Sequence, residues 1–205
     1  MPFTRWITPA NLPRRFTTQM YIYFLPTVQA PAVGDAVVGA AAAKDGPAMI
    51  PIPTHDGGQE HTEARFLPAQ QWIDMAQSGE IILFPPQLFL LHLIAPFLVP
   101  APGKQSNETA LTDQRTQLRQ FLQTSDPPWG DKCISPIQFM KLKSDGRIVL
   151  SLDKPGHELE GSERRGEKER VVLVNFKKEG PRNVEVKWRK DVLVNERGDK
   201  EGTKL

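Results

Sequence analysis

His55, Asp56, Glu60, His61 and Glu63 put five potential metal ligands into the nine-residue run "HDGGQEHTE". Zinc takes histidines at helical spacing or cysteine pairs. Here the histidines stand as His-x5-His across Gly57-Gly58, and the chain's single cysteine is Cys133. The spacing therefore argues against zinc. A hard cation such as Mg²⁺ accepts one or two carboxylates together with substrate phosphates. Glu60, at a loop-to-strand junction, fills one such position but does not make a site alone. The solvated face of an edge strand accounts equally well for His55, Asp56 and His61, and Glu60 is open between the two roles.

Other reactive side chains are scattered. Arg14 and Arg15 precede a strand and either touch a phosphate or end that strand in solvent. His92 stands within an apolar helix and reads as a core histidine with its hydrogen bonds satisfied. Cys133 has no histidine pattern near it and reads as a buried, idle thiol. No G-x-S-x-G, P-loop or dinucleotide fingerprint occurs.

The elements that must position these residues follow from periodicity. "RFTTQMYIYFL", Arg15 to Leu25, predicts a buried strand. Residues 26–53, rich in Ala, Pro, Gly and Val, predict a flexible insertion. From Glu60 to Leu67 the chain alternates, with Thr62, Ala64 and Phe66 on one face and His61, Glu63 and Arg65 on the other, which predicts a half-buried strand. Pro68 then opens a helix through "AQQWIDMAQS" that Gly79 stops. Pro85-Pro86 opens a second, from Gln87 to about Val99, and "ETALTDQRTQLRQFLQT" has helix potential within a linker spanning 101–134. From Ser135 on, "IQFMKL", "RIVLSL", "RVVLVNF" and "NVEVKWRKDVLV" predict short antiparallel strands in a small β-rich extension, 135–205. The mixed-charge stretch within 156–170 predicts a solvated loop.

Composition narrows the class. The 205 residues are 39% hydrophobic and 24% charged, ordinary for a globular chain. A net charge of +2 gives no basic footprint for nucleic acid. One cysteine excludes an internal disulfide framework and fits a reducing compartment, and no secretory signal is expected. Ile81 to Val99 is long enough to raise a membrane span, but Pro85, Pro86 and Pro96 would split it, so a core helix is expected instead.

The order of the pieces resembles the latter part of a Nudix hydrolase, closest to the Nudix motif 19 branch of peroxisomal coenzyme A diphosphatases. The carriers are "WITP" (Trp6 to Pro9), "RRFTT" (Arg14 to Thr18), "ARFL" (Ala64 to Leu67), "FPPQ" (Phe84 to Gln87) and the downstream "KSDGRIVLSLDKPGHEL". The resemblance implies an α/β (α+β) fold: part of a Nudix-type α/β/α sandwich over residues 1–100, followed by an antiparallel β region. It implies a diphosphatase acting on coenzyme A or acyl-CoA with Mg²⁺ or Mn²⁺. It also implies Glu60 as a supporting carboxylate and Arg14 and Arg15 as phosphate contacts. The glutamate-rich Nudix box that holds the metal in that family occurs nowhere in the sequence. With Trp6 so near Met1, the chain is expected to be the C-terminal portion of such an enzyme and inactive as it stands. The alternative is a non-catalytic Nudix-like binding or interaction module. The terminal Thr203-Lys204-Leu205 approximates the peroxisomal S-K-L address. With the branch's location it favours a peroxisomal import receptor as partner and the peroxisome over the cytoplasm.

Overall fold

A computed structural model of the chain describes residues 1–24, 65–99 and 108–201. Within them, helices combine with two sheets. The smaller sheet has the order β2-β1-β3: β1 (Pro2–Ile7) pairs antiparallel with β2 (Thr17–Tyr21) and parallel with the short β3 (Cys133–Ile134). The larger is an antiparallel meander, β4 (Ile137–Lys141), β5 (Ile148–Leu152), β6 (Glu167–Lys177) and β7 (Gly180–Trp188). The helices are α1 (Ala69–Ser78), α2 (Pro85–Leu98), α3 (Glu108–Thr124) and α4 (Arg189–Glu201).

Local chemistry explains the helix limits. Pro68 precedes α1, and Gly79 ends it at φ 82°, a left-handed conformation that glycine adopts without steric cost. Pro85 and Pro86 sit in the first turn of α2, where a missing N–H costs nothing. Leu88, Phe89, Leu90 and Leu93 are all buried there, as expected of a helix that is apolar almost all round.

The meander separates its residues by parity, since side chains alternate across a strand. Leu150, Leu152, Val172, Val174, Val184 and Val186 enter the main core with Phe3, Trp6, Phe89, Leu118, Leu122, Trp129 and Ile134. Their neighbours Val149, Val171 and Leu173 form a second cluster with Leu142 and Val192 of α4. The large sheet thus carries helices on both faces. Aromatic edges tie the main core together: Trp129 lies 6.0 Å from both Phe3 and Phe89 and 5.7 Å from Phe121. Such contacts contribute roughly 0.5–1.5 kcal/mol each beyond burial.

Between the sheets the backbone is joined directly. Cys133 N–H donates to Arg165 O (3.0 Å) and Ser135 N–H to Lys154 O (2.8 Å), while within the meander Gly166 N–H donates to Asp153 O (3.0 Å). A Cβ on Gly166 would collide with the Leu152 carbonyl oxygen, so only glycine allows this approach. Beside the junction, Lys132 Nζ meets Glu167 Oε2 at 2.7 Å, with side chains 5% and 3% exposed. The other oxygen of Glu167 accepts the N–H groups of Glu169 (3.0 Å) and Arg170 (3.2 Å).

Several expectations are corrected. The buried strand over Arg15 to Leu25 is shorter, Thr17–Tyr21, and largely exposed: Met20 and Ile22 pack inward, while Tyr21 and Tyr23 face solvent. It borders only β1 among the described residues, so one edge of it has no ladder partner there. "NVEVKWRKDVLV" is not a single strand. It turns into α4 after Trp188, where Val192 and Glu196 fall at helical spacing and both are buried. The charged loop is also shorter, because Glu167 and Arg170 already belong to β6, where the Lys132 ion pair compensates the burial of Glu167. The strand expected over Glu60 to Leu67 is not seen at 65–67; Glu60 to Ala64 and the segment 26–53 lie outside the described residues.

Lys132→Met leaves the buried Glu167 carboxylate with only Arg170, at 3.5 Å, as a cation and is expected to destabilise the chain by up to about 3–5 kcal/mol. In Lys132→Met/Glu167→Gln no buried charge remains while the backbone acceptor is kept, so about half of that loss should return. Urea unfolding of both variants measures this; equal losses would contradict it.

Candidate functional site

The residues singled out by sequence do not come together. His55, Asp56, Glu60, His61 and Glu63 lie outside the described residues, as do Thr203, Lys204 and Leu205. Among the described residues, no three His, Cys, Asp or Glu side chains are grouped to hold a metal ion. No described helix is long and apolar enough to cross a membrane. Cys133 is buried in β3, the strand parallel to β1.

Arg14 and Arg15 lie in the turn from β1 to β2, and both are exposed. Arg15 donates to the Thr8 carbonyl (3.2 and 3.3 Å) and forms an ion pair with Glu158. Its guanidinium is therefore committed to fixing the turn against the 156–160 segment. The Glu158 carboxyl is held below its usual range, first by its own backbone N–H and then by Arg15. Any phosphate reaching Arg15 would have to displace that carboxylate.

A different concavity gathers charged and aromatic side chains. A groove of about 350 Å³ opens between α2, α3 and the β6–β7 pair. His92, Leu93, Pro96 and Phe97 line it from α2 and Phe121 from α3; Arg170, Val186, Lys187 and Trp188 complete it from the sheet. Arg170 and Trp188 are cross-strand partners, and the guanidinium lies over the indole at 4.2 Å. Arg170 also approaches Glu167 at 3.5 Å, but that carboxylate is already held by Lys132 at 2.7 Å. One buried carboxylate thus answers two cations beside the groove. Lys187 is occupied by Glu185 at 2.6 Å.

His92 corrects the expectation of a core histidine: the apolar stripe of α2 turns it outward, into the wall of this groove, where it remains exposed. Desolvation lowers its pKa below the ordinary 6.5; Arg170 lowers it further, and Glu185 acts in the opposite direction. Pro96, four residues on, has no N–H to offer the His92 carbonyl. The groove therefore combines a guanidinium, a titratable imidazole and three aromatic rings. Sequence reading does not find it, because Arg170 sits in a charged run and Trp188 at a strand end. Only the register of β6 on β7 makes them neighbours.

Comparison with protein-family models, with characterised proteins and with solved structures finds no match to this chain.

Because the folded pKa of His92 is depressed, the folded state binds fewer protons than the unfolded state below pH 6.5. Stability should fall as pH drops from that value toward the lower folded pKa. Urea midpoints measured across this window should slope less for His92→Gln than for the wild type; identical slopes would contradict the assignment.

Proposed function

We propose that this chain is the C-terminal, substrate-side portion of a Nudix-type hydrolase acting on the diphosphate of coenzyme A or acyl-CoA, and that it does not hydrolyse by itself. The observation that carries the reading is the ordered series Trp6–Pro9, Arg14–Thr18, Ala64–Leu67 and Phe84–Gln87. The architecture is compatible with it: β1, β2 and α2, which contain or adjoin three of these segments, all contribute side chains to one core. In the proposed whole enzyme, Mg²⁺ or Mn²⁺ would polarise the diphosphate. The described residues gather no ligand set for such an ion, so no catalytic step is assigned to them. Their part in the reading is to bind and orient substrate. Thr203-Lys204-Leu205 extends it to import into the peroxisome by a receptor.

A second reading, a non-catalytic binding module, is favoured by one observation: the groove between α2, α3 and the β6–β7 pair holds binding groups and no nucleophile paired with a base.

The purified chain, assayed with coenzyme A and either Mg²⁺ or Mn²⁺, should release no phosphopantetheine while binding coenzyme A measurably by calorimetry. Chelator-sensitive turnover would contradict its inactivity. Absence of binding at millimolar coenzyme A would favour the second reading.

A further inference from the structure

We propose that the groove between α2, α3 and the β6–β7 pair binds a small organic anion, its charged group on Arg170 and its flat apolar body against Phe97, Phe121 and Trp188. The inference rests on the groove alone and does not depend on the diphosphatase reading.

Two independent features converge. The first is charge. Glu167 is shared by Lys132 at 2.7 Å and by Arg170 at 3.5 Å, and it also accepts two backbone N–H groups. Arg170 therefore retains donor capacity toward the groove, and guanidinium pairs readily with carboxylate or phosphate oxygens. Lys190 adds a further positive charge, 6.0 Å from the Trp188 ring.

The second is shape and polarity. Phe97 and Phe121 lie 5.0 Å apart, and Leu93, Pro96 and Val186 continue the apolar wall. A volume of about 350 Å³ falls at the small end of ligand sites, matching a one- or two-ring molecule.

His92 adds a pH response. The charged groups acting on it are Arg170 from β6 and Glu185 from β7, with Lys187 beside Glu185; α3 presents Phe121. An anion on Arg170 would offset the repulsion that disfavours imidazolium. Binding should therefore strengthen as pH falls through the titration of His92, and bound anion should raise that pKa.

The test uses the full chain with 2-naphthoate, 2-naphthyl phosphate, 2-naphthol and acetate, followed by calorimetry and by the NMR signals of the Trp188 indole N–H and the His92 ring. Both ringed anions should bind about tenfold or more tightly than naphthol or acetate and should shift both signals. Preference between them separates a carboxylate from a phosphate ligand. Arg170→Met should weaken the ringed anions about tenfold, and Arg170→Lys should restore part of that. With 2-naphthoate, which stays ionised above about pH 5, affinity should rise toward acid for the wild type and not for His92→Asn. Should Arg170→Met fail to fold, the probe comparison and the NMR mapping on the wild type decide. Equal affinity for naphthol and naphthoate, shifts that avoid Trp188 and His92, or no binding at millimolar concentration would overturn the proposal.

Discussion

The rest of the structure depends on one ammonium group. Lys132 Nζ lies 2.7 Å from Glu167 and 4.4 Å from the centre of the Trp129 ring, under nearly complete burial. Burying a lysine in this way is costly unless opposite charge and an aromatic face replace its water. Both are supplied, each from a different part of the chain. Trp129 reaches β1 through Phe3, α2 through Phe89 and α3 through Phe121. Glu167 opens β6, one of the two central strands of the large sheet. The ion pair therefore fixes the small sheet and the helices against the meander, and Gly166 lets the backbones close beside it.

That same knot shapes the groove. With its carboxylate committed to Lys132, Glu167 satisfies Arg170 only partly, and the guanidinium settles over Trp188 at the groove wall. A structural constraint in the core thus leaves positive charge at a concave surface lined by aromatic rings. Charge and apolar surface side by side are what an amphiphilic anion requires.

Legibility in the sequence followed the range of each signal. The helices α1, α2 and α3 were readable because their proline starts, glycine stop and periodicity are local. The strands β4, β5 and most of β6 and β7 were readable from β-branched runs between turns. β1 was seen only as a motif, since six residues carrying Pro2 and Arg5 do not alternate strongly enough. α4 was hidden because "WRKDVLV" has strand-like composition, and only the patch of Val149, Val171 and Leu173 behind the sheet gives Val192 a reason to be helical. Glu167 looked solvated because a charge run gives no sign that one member will find Lys132, thirty-five residues away. The groove is not legible in the sequence for the same reason: Arg170 and Trp188 meet only through strand register.

The central claim, that the two sheets and the helices form one cooperative body joined at Lys132, is tested most directly by native-state hydrogen exchange. Amides of β1 and β3, including Arg5, which donates to Lys132 O, should open with the same free energy as those of β5 and β6, within about 1 kcal/mol. Exchange of β1 and β3 through an opening about 3 kcal/mol or more below that of the meander would contradict the account.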